Sequence, residues 1–227
     1  MKTIVLRGKR WLCAMMLLTI VTAINGQCRY CNTHEDFLEG RWTELDTVYC
    51  ETFSKSQQMW WGCNDYAFTT GDKDTDKILK KKAFVVMKDD TLYVNCRNLR
   101  YDKDRFGSGY TKAKRIGQRS LLFVNRAIGS DVRENHMLAA FMFGAIGSAI
   151  DSHSQMKHQV CYVISWGADE KGRISIRMIN DDLMEQMIGY HNSLNDEYFS
   201  EKDASKRVLA EHVIPILEKA GLFGQSL

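Results

Sequence analysis

The chain has 227 residues, with 31 Lys and Arg against 28 Asp and Glu, and 44% of it is hydrophobic, which excludes a disordered chain and allows one sizeable core. Residues 1–26 hold four of the basic residues, Lys2, Arg7, Lys9 and Arg10, and no acidic one, so the remainder carries 27 basic against 28 acidic residues. A balance of that kind is not that of a generic nucleic-acid binder, and no nucleic-acid partner is expected.

The first element reads as a secretory leader over residues 1–26. Its basic stretch runs into an apolar run from Trp11 to Ala23, too short for the roughly 18 to 20 residues of a permanent span. Cleavage after Ala23 and cleavage after Gly26 both fit. Gln27 before Cys28 argues against lipidation of that cysteine. The expectation is an exported protein, in the periplasm, the cell envelope or outside the cell, with residues 27–227 as a single globular domain. Six cysteines follow the leader, at positions 28, 31, 50, 63, 96 and 161, an even number for an oxidising compartment. A disulfide between Cys50 and Cys63 is expected, because their segments read as neighbouring strands joined by a short connection. Cys28 and Cys31 form C-x-x-C without the preceding strand of a redox motif or a second ligand pair for zinc.

A short helix is predicted from Thr33 to Gly40, with Thr33 as N-cap and Glu35 and Asp36 in the first turn. Strands are predicted at 45–53, 64–70, 83–88, 91–96, 109–116 and 120–126, with hairpin turns at Asp89-Asp90 and at Gly117-Gln118-Arg119. Asp74 or Asp76 caps a single helical turn through Leu79. Trp60 and Trp61 read as strand neighbours, one in the core and the other displayed, where it could stack on a carbohydrate or aromatic ligand. The segment 137–150 (MLAAFMFGAIGSAI) is uncharged and apolar on every face of a helix, and its small residues Ala140, Gly144 and Ser148 recur every four positions. Burial against the sheet and an oligomer or membrane contact both suit it. Two more strands follow at 159–166 and 173–179. Asn180 then caps a helix to about Tyr190, and a second runs from Ser200 and Asp203 to Gly221 with a break at Pro215.

The strings QQMWWGCND (57–65), LKKKAFVVM (79–87), LYVNCRNLRY (92–101) and FMFGAIGSAI (141–150) resemble a family of exported Bacteroidales proteins of unknown function, over most of the chain after the leader. The resemblance implies export and one domain, and brings no activity, cofactor or catalytic residue with it.

Chemical motifs are scarce. The six histidines form no H-E-x-x-H or paired zinc spacing, and Asp72, Asp74 and Asp76 imitate an EF-hand start that fails at Lys77 and Ala83, so no metal is expected. No G-x-S-x-G elbow, Walker loop or dinucleotide fingerprint occurs, so neither a catalytic residue nor a cofactor is assigned. Charge is uneven: residues 73–126 hold fifteen basic against six acidic residues, whereas 27–72 and 180–227 are each acidic by five. Arg97, Arg100, Lys112 and Lys114 are therefore the candidate anion-binding residues, for an anionic envelope polymer or a lipid headgroup. Arg115 points to the other side of the strand. The expected fold is α+β, an antiparallel, curved or barrel-like sheet of seven or eight strands with one apolar central helix and C-terminal helices. The expected function is non-catalytic, an exported binding or envelope-associated protein. The alternative is a hydrolase whose site is assembled from distant loops.

Overall fold

The computed structural model describes residues 28–129, 159–168 and 174–224. The leader expected at residues 1–26 and the apolar segment 137–150 lie outside the described residues. The fold is α+β, built on one open antiparallel sheet with ten strands among the described residues. The strands are β1 (Cys28–Cys31), β2 (Thr43–Leu45), β3 (Tyr49–Thr52), β4 (Tyr66–Thr69), β5 (Val85–Lys88), β6 (Thr91–Asn95), β9 (Tyr110–Ile116), β10 (Ser120–Arg126), β11 (Gln159–Ala168) and β12 (Ile174–Met178). A separate two-stranded ribbon pairs β7 (Arg100–Tyr101) with β8 (Asp104–Arg105). The main path runs β12-β11-β10-β9-β6-β5-β1-β2, and the β3–β4 hairpin joins it through β9. The sheet is thus larger than the expected seven or eight strands and is not closed.

Local chemistry explains most of the elements. Asp89 and Asp90 both adopt positive φ, 50° and 58°, the left-handed pair that a two-residue hairpin between β5 and β6 requires. Helix α1 (His34–Leu38) starts in a capping box between Thr33 and Asp36, and α2 (Lys55–Trp61) starts in one between Ser54 and Gln57. Helix α3 (Lys73–Lys81) is longer than the predicted single turn. Its N-cap is Asp72, and acidic Asp74 and Asp76 open it while Lys80 and Lys81 close it, both favourable to the helix dipole. Asn180 caps α4 (Asp181–Ile188), as predicted. Ser200 ends a helix, α5 (Asn192–Ser200), instead of starting one, and the helix expected from there to Gly221 is two, α6 (Ala204–Arg207) capped by Asp203 and α7 (Ala210–Lys219) with Pro215 inside it.

Strand alternation gives the sheet two apolar faces. One face carries Cys31, Val85, Val94, Leu121, Phe123, Tyr162 and Ile164 into a core that also takes Phe37 of α1 and Phe106. The other face is covered twice. Near β1, β5 and β6 it packs Cys28, Tyr30, Val86 and Tyr110 against Phe68 and Leu79 of the β4 and α3 cover. Near β10 and β11 it packs Leu122, Cys161 and Val163 against Met184, Tyr198, Val213 and Leu217 of the C-terminal helices.

Candidate functional site

The loops at one end of β6, β7, β8 and β9 bring three arginines to one cleft. The 3-10 helix Cys96–Asn98 carries Arg97, β7 carries Arg100 and β8 carries Arg105. Alternation with buried neighbours turns all three outward: Cys96, Leu99 and Phe106 are at most 2% exposed in the core, whereas Arg97, Arg100 and Arg105 are themselves exposed. The 3-10 helix is fixed by Asn95, itself buried. Its Oδ1 accepts from the Arg97 N–H at 3.1 Å, while its Nδ2 donates to the carbonyls of Leu79 and Ala83. The remaining wall is the glycine loop Gly107-Ser108 against Gly62, and the cleft encloses about 530 Å³.

That wall is tightly made. The Ser108 N–H donates to Gly62 O at 3.3 Å, and the Asn64 N–H donates to Ser108 O at 2.7 Å. Buried Asn64 also donates its Nδ2 to the carbonyls of Phe106 (3.1 Å) and Ser108 (2.9 Å), and its Oδ1 accepts from Asn125 at 2.8 Å. Gly107 has φ +95°, and a Cβ there would lie 2.5 Å from Gly62 O, so only glycine permits this approach.

The electrostatics of the cleft are one-sided. Arg100 and Arg105 are direct cross-strand partners in the ribbon, a placement in which like charges repel. None of Arg97, Arg100 and Arg105 forms an ion pair with a described carboxylate. A guanidinium fork offers planar paired donors to phosphate, sulfate or carboxylate.

A family model for a family of unknown function (DUF6563) matches residues 29–223. The chain belongs to that family. Nothing among curated proteins or among solved structures matches it.

Of the four anion-binding residues expected from the sequence, this DUF6563 chain brings Arg97 and Arg100 together and places the two lysines elsewhere. Lys112 and Lys114 share a face of β9, as strand alternation requires, between the two covers of that face. The Lys112 ammonium sits 5.7 Å from the Tyr66 ring. Lys114 donates to Glu218 at 2.5 Å and lies 4.6 Å from the Phe223 ring, so its charge is already matched. Arg115 crosses to the opposite face and stacks over Phe37 at 4.5 Å. Arg105 is a third cation, outside the four that the sequence points to. The signal for it is the Asp102-Lys103 turn, with Asp102 at φ +53°, which folds Arg105 back beside Arg100.

Trp60 and Trp61 are also repositioned. They end a helix instead of sharing a strand, and both are displayed, at 77% and 65% exposure. Trp61 lines a second cleft of about 470 Å³, and Ser108 is the one residue that lines both clefts.

The disulfide expected between Cys50 and Cys63 is not formed: the cysteines at 28, 31, 50, 63, 96 and 161 are free thiols. Cys50 pairs across β3–β4 with Phe68, whereas Cys63 precedes β4, bridges to Ser108 and points its thiol at Gln57 O. The C-x-x-C spacing lies on β1, where positions three apart face opposite sides, so Cys28 and Cys31 enter different cores. Burial raises the Cys28 thiol to about 11 and the Cys31 thiol to about 12. It raises Cys96 and Cys161 further still, and Cys50 and Cys63 in the same direction. At pH 8, iodoacetamide should label only Cys50 and Cys63 in the native protein, and slowly. Mass spectrometry of the tryptic digest checks this, and prompt labelling of Cys28 or Cys31 would contradict it.

Among the described residues no cluster of three or more metal-ligating side chains occurs, and no helix is long and apolar enough to cross a membrane. Asp72, the first residue of the EF-hand imitation, caps α3 through Thr75, and Asp76 accepts from the Thr70 N–H and hydroxyl. His34 stands beside Phe37 and Phe84 with its pKa lowered by burial, and His212 Nε2 meets the Tyr198 carbonyl at 3.0 Å. Both histidines are committed to packing or caps, away from the arginine cleft.

Proposed function

We propose that this protein is a non-catalytic, exported binding protein that holds an anionic group in the cleft of Arg97, Arg100 and Arg105. The observation that carries the reading is the direct pairing of Arg100 with Arg105, beside Arg97 and without a described counter-charge. Like charges directly opposite destabilise a ribbon, and a phosphate, sulfate or carboxylate between them removes that cost. Export rests on the leader at residues 1–26, and it would expose the cleft to envelope polymers and headgroups.

The test compares the mature protein with an R97A/R100A/R105A variant and with a K112A/K114A variant. Binding to an acidic polysaccharide is measured at low and moderate salt. The triple variant should lose about tenfold or more in affinity, each exposed charge-assisted contact being worth roughly 0.5–1 kcal/mol. The lysine variant should stay within about twofold, and binding by the mature protein should weaken as salt rises. Equal binding by the mature and triple-variant proteins would reject the arginine cleft.

A further inference from the structure

The second cleft is lined by the β3–β4 hairpin, the Trp61 end of α2 and α3. Glu51 pairs with Ala67 across the hairpin, so strand alternation puts Glu51, Phe53, Ala67 and Thr69 on the face that lines the cleft. Asp76 and Lys80, one turn apart on α3, line it from the helix, and Phe68 and Tyr110 line it from the core. Trp61 packs edge-to-face on Phe53, with ring centroids 6.3 Å apart at 84°, which braces an indole that stays mostly exposed. Two carboxylates and an ammonium thus line one space beside aromatic rings. None of Glu51, Asp76 and Lys80 forms an ion pair with a described residue. Asp76 commits only Oδ1, which accepts from the Thr70 N–H and hydroxyl. Aromatic walls with a few polar groups around about 470 Å³ have the size and make-up of a small-ligand site.

From this lining we propose that the second cleft binds an uncharged sugar of roughly one or two rings, with an apolar C–H face against the Trp61 indole and hydroxyls on Glu51, Asp76 and Lys80. The mixed signs of the lining decide the ligand. A hydroxyl both donates and accepts, so one polyol serves a carboxylate and an ammonium alike. A simple anion would suit Lys80 but lie beside two carboxylates, and a simple cation would suit the carboxylates but lie beside Lys80. An apolar chain would use the rings but strip water from three charges without a hydrogen bond in return. None of the three arginines takes part, so the sugar stands or falls separately from the anion in the first cleft.

The experiment titrates the mature protein, followed by saturation-transfer NMR, with neutral disaccharides of glucose, galactose, mannose and N-acetylglucosamine. The comparison probes are phenylalanine as a zwitterion, choline as a cation and 1-hexanol as an apolar chain. At least one disaccharide should bind at about 10 mM or below, with saturation on its ring C–H protons. Its affinity should be the same at low and moderate salt, unlike that of an anion. Trp61→Ala should weaken that binding about tenfold, and Trp61→Phe, which keeps a smaller ring, should weaken it less. Trp60→Ala lies outside the cleft and should stay within about twofold. Both tryptophans are exposed, so neither variant removes core packing. Lys80→Met should cost about threefold, and R97A/R100A/R105A should stay within about twofold. No disaccharide binding at about 10 mM, or binding indifferent to Trp61→Ala, would overturn the sugar site and leave the arginine cleft standing. Disaccharide binding lost in the arginine variant would overturn it too, by placing the sugar in the other cleft. Tighter, Trp61-dependent binding of phenylalanine, choline or 1-hexanol would overturn it in favour of that chemistry.

Discussion

Replacing Asp181 with alanine should cost about 2 kcal/mol of folding stability at neutral pH, because one carboxylate serves a buried hydroxyl and a mostly buried cation. Asp181 Oδ1 accepts from the Tyr198 hydroxyl at 2.9 Å and from Arg207 Nε at 3.0 Å, and Oδ2 accepts from the second guanidinium arm. Tyr198 is fully buried under the C-terminal helices, and Arg207 is anchored further by the Glu201 and Lys202 carbonyls. Truncation leaves a buried hydroxyl and a mostly buried cation without their acceptor. The Asp181 side chain is about a third exposed, which lowers the loss from the 3–5 kcal/mol typical of a fully buried pair. Asp181→Asn keeps an acceptor for Tyr198 and should lose roughly half as much.

The same carboxylate sets a pH dependence. Its hydrogen bond from Arg207, assisted by Tyr198, holds the Asp181 pKa below the ordinary aspartate value against the opposing effect of burial. A depressed folded-state pKa contributes stability that is fully present above the unfolded pKa of about 4 and is lost as pH falls through the folded value. Urea melts of wild type and Asp181→Asn should therefore differ most near neutrality and converge below about pH 4. Asp36, Asp72 and Asp203 are also depressed, but they titrate in both proteins and cancel in the difference. A gap that stays constant across the acid range would show that Asp181 acts through packing alone.

The parts of this fold that are legible in the sequence are those written by neighbours along the chain. Thr33 and Asn180 announce their helices because a cap needs only the next three residues, and Asp89-Asp90 announces a hairpin because both can adopt left-handed backbone. Helix α2 carries a local signal too, Ser54 with Gln57 three residues on, but its aromatic content favours strand, and strand alternation displays only one of two adjacent tryptophans that the helix end displays together. The candidate site is less legible for a different reason. Arg100 and Arg105 meet through a ribbon of two residues per strand, too short for any alternation to show. Lys114 meets Glu218 across 104 positions, so its neutralisation cannot be read from the local excess of basic residues. The basic segment correctly marks where positive charge is concentrated, and only the tertiary fold separates paired cations from open ones.

Gly107→Ala should cost about 2–4 kcal/mol and weaken anion binding together with stability, because the substitution fails on both conformation and space. The backbone at Gly107 has φ +95°, outside the range that a residue with a Cβ adopts at ease, and the added methyl would come 2.5 Å from Gly62 O. The obstructing atom is backbone, so no rotamer change relieves it. Relief requires the 106–108 loop to move off the 62–64 segment, and that motion stretches the Ser108-to-Gly62 and Asn64-to-Ser108 hydrogen bonds that form the wall between the two clefts. Gly117→Ala is the control. It shares a positive φ, +55°, but its Cβ would point into open space, so its cost should be only the left-handed backbone term of roughly 1 kcal/mol. Thermal melts of the two variants, with acidic-polysaccharide binding measured well below each midpoint, separate the contributions. Equal destabilisation by the two substitutions would mean that the Gly62 contact adds nothing beyond backbone strain. If Gly107→Ala binds as tightly as wild type, the glycine loop does not shape the arginine cleft.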